Sequence, residues 1–438
     1  MLKKRNKKLT YDGIRCSLII LLYLYPLVIR RQWKLISGIE IDSIGVSNEI
    51  YIYPIIFILL GLLGFSKRRR EPNSFRISQS YFYFVTFNLV IMVVSQVMNI
   101  ESSFEQTLYA STVIILNTIA LSAFYSSDFD FLIKFNRIVI IATVLYSFLQ
   151  IYASFNMRTV ANILGNQIQS KNYINENQFR GKLPLGYPTT VVFFFALSIP
   201  FVYLEYSRAK TKRDQMICIG ASFVILLAAL LTGSRGGAAL TAFMIIWSIY
   251  SIRKRGKAAR ALAILLAIMM LIVFISSYID LSRIFSRFND SSTSARVEAL
   301  NTALEVAISQ PILGTGIGKY YHRIYSSRFI SILGKSTIID PHNAYILLLS
   351  EIGLIFFAIY AFLFVLCIRP ILNIKDFRWR LAGKQLLFVI LIYSLIGSQV
   401  INEISISIIA WLYIGYFIRY ASIEKRIDTT RNRHYSGG

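Results

Sequence analysis

Acidic residues are scarce: 22 Asp and Glu face 47 Lys and Arg in 438 residues, and charged residues of both signs make up only 16%. A soluble domain normally carries about a quarter, so an ordinary water-facing fold is excluded. Cysteine is rarer still. Cys16, Cys218 and Cys367 each sit in an apolar run, far apart, with no metal-ligand spacing and no evident disulfide pairing. They read as small core residues, and redox chemistry is excluded. There is no repeat of fixed period, and no low-complexity tract beyond a basic C-terminal tail. Clustered outer carboxylates are also missing. Glu40 and Asp42 form a single pair, too few for a hard-cation cage.

What the chain has is apolar length. Hydrophobic residues account for 55% and the mean hydropathy is +0.56. A crossing helix needs about 20 mainly apolar residues. Stretches that qualify lie at 13–29, 48–65, 79–98, 106–125, 132–154, 187–206, 214–231, 236–252, 258–278, 342–367, 382–400 and 403–419. The expected fold class is therefore all-α, a polytopic membrane helix bundle of about 12 transmembrane helices, with a long helical loop between the ninth and tenth. MLKKRNKK leads into the first span without a small-residue cleavage site, so that span is expected to stay.

Lys and Arg orient the bundle. With both termini cytoplasmic, the inner segments include LKKRNKK (2–8), KRRR (67–70), SRAKTKRD (207–214), RKRGKAAR (253–260) and EKRIDTTRNR (424–433). The net charge of +25 then lies almost wholly on the inner face. That is the ordinary positive-inside bias, and nucleic acid is not an expected partner. The organisation read from the chain has four parts. Residues 1–278 hold spans one to nine with an outer loop at about 155–186, and 279–341 form an outer loop with an amphipathic helix. Spans ten to twelve occupy 342–420, and 421–438 are a basic cytoplasmic tail.

The larger outer loop carries its own helix signal. In DSSTSARVEALNTALEVAISQP, Val297, Leu300, Leu304 and Ile308 form one stripe at spacings of three and four. Thr293 or Ser294 is the expected cap and Pro311 the stop. Gly314, Gly316 and Gly318 then permit a close-packed turn. The loop reads as a folded lid or collar near the outer leaflet.

Chemistry concentrates on the same face. Of the three histidines, His434 is in the tail, His322 follows the glycine cluster, and His342 opens the tenth span in PHNAYILLLSEIGL. Neutral imidazole there suits a proton acceptor; a plain interfacial helix start fits the same position. LLTGSRGGAAL puts Arg235 at a hairpin between the seventh and eighth spans, where flanking glycines and helix N–H groups make an anion site. An arginine snorkelling to headgroups fits too. Arg296 opens the amphipathic helix, Arg283 and Arg287 precede it, and the other outer loop holds Arg158, Lys171, Arg180 and Lys182. Each alone fits a headgroup-facing charge. Together, where the inside rule disfavours cations, they point to an anionic ligand such as a lipid diphosphate.

These elements carry a resemblance. TGSRGGAAL, SARVEALNTALEVAISQPILGTGIGKYY and PHNAYILLLSEIGL resemble, in order and spacing, three motifs of the O-antigen ligase and polymerase superfamily. The resemblance covers about residues 180–360; the first five spans match only in topology. It implies a GT-C-like glycosyltransferase of the bacterial inner membrane with a periplasmic active site. Such an enzyme moves a glycan from undecaprenyl diphosphate to an acceptor hydroxyl, with inversion, without metal and without cofactor. It further implies that His342 takes or steers the acceptor proton, that Arg235, Arg296 and Arg180 hold the diphosphate, and that Arg287, Arg283 and Arg158 are additional cations. GYP stands at 186–188 where many relatives have an Asn-Pro-Asn-like element, which leaves the Arg180 match weaker. Glu351, nine residues past His342, reads as a packing or clamping residue. The implied partners are the lipid-linked donor, a glycan or lipid A core acceptor, the bilayer and a chain-length regulator. A Wzy-type polymerase is favoured slightly over a WaaL-type ligase. A metal-dependent GT-C enzyme using Glu40 and Asp42 is the sharper alternative, and a flippase the other. Transporters usually carry charges or broken helices near the midplane, whereas the unusual charges here cluster at the rim.

Overall fold

A computed structural model describes residues 14, 17–18, 79–98, 104–124, 127–156, 188–251, 292–320, 341–398 and 404–435. Among them every regular element is an α-helix: α1 (Gln79–Met98), α2 (Phe104–Ser122), α3 (Phe129–Phe155), α4 (Pro188–Arg208), α5 (Lys212–Leu231), α6 (Arg235–Ser251), α7 (Ser292–Ser309), α8 (Ala344–Leu372), α9 (Phe377–Ile396) and α10 (Ile404–Tyr435). Six of these, α3, α4, α5, α8, α9 and α10, are long and apolar enough to cross a membrane. The chain is a polytopic membrane protein. The expected spans at 48–65 and 258–278, and nearly all of 13–29, lie outside the described residues.

The bundle is organised around α4. PTTVVFFFALSIPFVYLEY is apolar on every face, and such a helix is buried all round. Val191 to Leu197 have no exposed surface, and α3, α5, α6, α9 and α10 all pack on α4. Polar side chains pin neighbouring helices where no water competes. Thr143 donates to Ser198 at 2.8 Å, Gln385 to Ser248 at 3.1 Å, and Asn117 to Ser407 at 2.8 Å. Cys218 and Cys367 are buried free thiols, as expected of core residues; Cys16 lies outside the described residues.

Gly237 lets α6 lie directly on α4, since a Cβ there would overlap Val192. Gly220, in the middle of α5, has nothing within 4 Å of the same position. Gly237→Ala therefore destabilises the fold by about 1–3 kcal/mol of overpacking and lowers the melting temperature in detergent. Gly220→Ala leaves it unchanged or raises it, because alanine favours helix by about 1 kcal/mol. Equal melting of the two variants would contradict this packing.

At one end, Asp128 caps α3 by accepting from Phe131 N–H at 2.9 Å, and Arg419 donates to the Ser127 carbonyl at 2.7 Å. Trp379 stacks on Tyr420 at 3.7 Å there. Glu424 accepts from the N–H groups of Lys375 (2.7 Å) and Asp376 (2.8 Å), and Lys375 pairs with Asp428 at 2.6 Å. These contacts bind the polar extension of α10 to the α8–α9 turn, so the helix continues well past its apolar run. The opposite end holds the starts of α4, α6 and α8.

Candidate functional site

The site end is built from two helix starts. Thr232 closes α5: its hydroxyl donates to the Ala229 carbonyl at 2.7 Å and accepts from Ser234 N–H at 3.2 Å. Gly233 turns the chain at φ 71°, a left-handed conformation that glycine adopts without penalty. Arg235 then opens α6, and Ala238 N–H donates back to the Ser234 carbonyl at 2.9 Å. The expected tight hairpin at TGSRGG is present.

The second start is that of α8. Asn343 is its N-cap, with the side-chain oxygen accepting from Tyr345 N–H (3.0 Å) and Ile346 N–H (3.1 Å). Its amide nitrogen donates to the Leu395 carbonyl at 3.3 Å, and Tyr345 hydroxyl donates to the Leu391 carbonyl at 3.0 Å. His342 stands just before the cap, half-buried, at φ 47°. A side-chain-bearing residue in that region is uncommon, and such outliers cluster at functional sites.

The end of α9 joins the two starts. A Cβ on Gly236 would sit 3.3 Å from Ile396 Cδ1, while Asn343 holds the neighbouring Leu395. Leu395 and Ile396 are themselves exposed. The start of α4 is tied to the same strut. Tyr393 hydroxyl donates to the Thr189 carbonyl, and its ring stacks on Phe193 at 3.9 Å. Three helix N-termini thus gather around one helix end. N-termini carry unpaired N–H groups and partial positive charge, which favours an anion.

The helix α7 docks beside α8. Its packed face is made of small residues, Ala299, Thr302, Ala303, Val306 and Ala307, with Ala303 and Val306 in one cluster with Leu347 and Tyr320. The expected stripe of Val297, Leu304 and Ile308 is present, but it faces outward; Leu300 is half-buried at its edge. The helix opens at Ser292, just ahead of the expected caps, and stops before Pro311.

Below α7 the chain latches onto α8. Gly314, Gly316 and Gly318 all have positive φ, and so does Gly353, where α8 breaks. A Cβ on Gly314 would overlap the Glu351 carbonyl, and one on Gly353 the Ile312 carbonyl. Thr315 N–H donates to Ser350 O at 2.9 Å, Gly316 N–H to Glu351 O at 2.8 Å, and Leu354 N–H to Pro311 O at 2.7 Å. The buried Glu351 carboxylate is hydrogen-bonded to the backbone of Gly318 and Tyr320. It is the clamp its position suggested.

The latch sets a register. Leu354 is held to Pro311, and Ala303 and Val306 share a buried cluster with Leu347, so α7 is docked against the start of α8. Arg296 is exposed.

Arg180, Arg158, Arg283, Arg287 and His322 lie outside the described residues, as do Glu40 and Asp42. The described residues contain no group of three or more metal-ligating side chains. Two roles escape a reading of sequence alone. Asn343 ties His342's helix to α9. Lys319 is buried in the latched loop, and burial lowers its amine's pKa below the ordinary lysine value. A lysine directly after the glycine triplet, on a face poor in lysine, is the available signal.

No curated protein matches the chain. Residues 220–361 match the Wzy_C family model, described as O-antigen ligase, and Arg235, Arg296 and His342 fall within the matched segment.

Proposed function

We propose that this protein moves a glycan from a polyprenyl-diphosphate carrier to an acceptor hydroxyl at the outer face of the bacterial inner membrane. The observation that carries the reading is the convergence of the Arg235 hairpin and the His342–Asn343 helix start on Leu395–Ile396. Sequence alone could not join those two motifs. The family match at residues 220–361 supports the glycosyltransferase class. Basic residues such as Arg208, Lys210, Lys212, Arg213, Lys375 and Arg378 fall at the opposite end of the bundle. The positive-inside rule makes that end cytoplasmic.

In this mechanism the donor's diphosphate lies against the α6 start, with Arg235, Arg296 and Arg180 as its cations. The acceptor oxygen attacks the anomeric carbon from the face opposite the diphosphate. The carbon–oxygen bond to phosphate breaks, and polyprenyl diphosphate departs with the bonding pair. His342 takes the hydroxyl proton. Fixed guanidinium charges act where charge develops, and each such group is worth about a hundred- to a thousandfold in rate. In this scheme side chains supply both the charge that meets the leaving group and the proton acceptor, and no metal is required.

The polymerase is the favoured form. The test supplies purified protein with the lipid-linked glycan and two acceptors in parallel, more lipid-linked glycan and lipid A core. A ladder on the carrier lipid is expected. Product on the core alone would make the protein a ligase, and product on neither would overturn the reading.

A further inference from the structure

Four buried side-chain atoms have no hydrogen-bond partner among the described residues: Asn136 Oδ1, Arg208 Nη1, Tyr416 Oη and Gln385 Oε1. Folded proteins leave few such groups unpaired, because a buried donor or acceptor that has lost water and gained nothing is destabilising. Gln385 lies apart, between α9 and α6, bonded to Ser248. The other three come from α3, α4 and α10 and adjoin one turn of α4.

That turn carries Glu205. Phe201, Glu205 and Arg208 follow one another at spacings of four and three and so share a face. The Asn136 amide nitrogen donates to the Phe201 carbonyl at 3.3 Å and to Glu205 Oε2 at 3.0 Å, which lays the carboxamide along this face. Arg137 Nε donates to the other Glu205 oxygen at 3.0 Å, so both carboxylate oxygens are engaged. The Tyr416 ring packs on Phe201 at 5.2 Å and on Phe135, the neighbour of Asn136, at 5.3 Å. Tyr416 is also within electrostatic reach of Arg208 and Glu205. The Arg208 guanidinium lies 5.7 Å from the centre of the Phe129 ring, on the helix that carries Asn136. Asn136 and Tyr416 have no exposed surface.

The chemistry of the three atoms selects what satisfies them. Arg208 Nη1 only donates, Asn136 Oδ1 only accepts, and the Tyr416 hydroxyl does either. An anion would suit Arg208 but would face Asn136 Oδ1 and the Glu205 carboxylate. A cation would face Arg208. A neutral molecule that both accepts and donates meets all three, and a buried water makes about three such bonds.

We infer that an ordered water molecule is bound at this junction, accepting from Arg208, donating to Asn136 Oδ1 and taking the Tyr416 hydroxyl as its third partner. It joins α3, α4 and α10 toward the end of the bundle opposite the candidate site, and it makes Tyr416 part of a polar joint inside an apolar run. The inference is independent of the proposed function.

Two measurements on the full chain test it. Removing a buried hydroxyl that bonds nothing relieves a desolvation penalty, so a bare Tyr416 would leave Tyr416→Phe as stable as the parent or more stable. A water-bonded Tyr416 makes the same variant less stable. The expected result is a melting temperature in detergent lower by a few degrees, and an unchanged or raised value overturns the inference. A density map of the protein in nanodiscs, fine enough to show ordered water, is expected to hold a feature at hydrogen-bonding distance, about 2.7–3.2 Å, from Arg208 Nη1, Tyr416 Oη and Asn136 Oδ1. No feature there, a protein side chain or a coordinated ion in its place, or direct bonds among the three atoms would overturn it.

Discussion

Arg235→Ala abolishes glycan transfer while the protein inserts and melts like the wild type. The backbone around position 235 is fixed by its neighbours. Thr232 and Gly233 make the turn, Ser234 accepts from Ala238, and Gly237 seats α6 on α4. Losing the guanidinium therefore removes a charge from a site that stays assembled. The expected fall in initial rate is about a hundred- to a thousandfold, the range for a group that meets transition-state charge. Arg235→Lys also fails largely, because an ammonium cannot hold two phosphate oxygens in the planar fork that guanidinium offers. Rates within threefold of wild type for Arg235→Ala, with equal expression and melting, would remove Arg235 from the mechanism.

Gly353→Ala has the second large effect, and it acts on architecture. At φ 71° an alanine is strained, and its methyl group would overlap the Ile312 carbonyl of the docked loop. Two penalties combine at one atom, on the order of 3 kcal/mol in total. The backbone bonds from Thr315, Gly316 and Leu354 depend on that close approach. The latch opens and α7 loses its docking on α8. Hydrogen exchange at residues 311–320 is expected to rise sharply, and transfer to fall at least tenfold. Gly314→Ala repeats the effect from the other side of the contact, whereas Gly220→Ala does neither. Unchanged exchange in Gly353→Ala would show that the loop is held by something other than this latch.

Apolar length makes most helices legible. The run at 79–98 is α1 to the residue, and the runs at 187–206 and 214–231 are α4 and α5 within two residues at each end. Hydropathy fails where polar residues continue a helix. The last apolar run ends at 419, yet α10 extends to Tyr435, because Glu424 and Asp428 fasten its polar part to the α8–α9 turn. It also fails at Gly353, where apolar residues flank the break on both sides. There the signal is the pairing of a Gly-rich loop with a Glu-x-Gly sequence about forty residues later, a contact no local pattern specifies. The stripe on α7 is visible in the sequence, but periodicity alone does not say which face meets protein. Small residues on the other face allow the closer packing, and they take the contact with α8.

The site is legible as separate motifs and not as an assembly. Arg235 and His342 are both marked by their sequence context, but that their neighbours Gly236 and Asn343 both meet the end of α9, at Ile396 and Leu395, is written in no local pattern. Asn343 is visible as part of a motif, while its bond to Leu395 requires the fold. Arg180, Arg158, Arg283 and Arg287 lie outside the described residues, and their part in the site stands as a proposal.

The central claim is that this arrangement transfers glycan from a lipid diphosphate using its own cations and His342. The most direct measurement follows release of polyprenyl diphosphate and growth of the glycan product by purified protein in nanodiscs, with EDTA present throughout. Product that accumulates at the same rate with and without EDTA, and that is lost in His342→Ala and Arg235→Ala, is the predicted result. Turnover that stops in EDTA and returns with a divalent cation would contradict it and move the chemistry to Glu40 and Asp42.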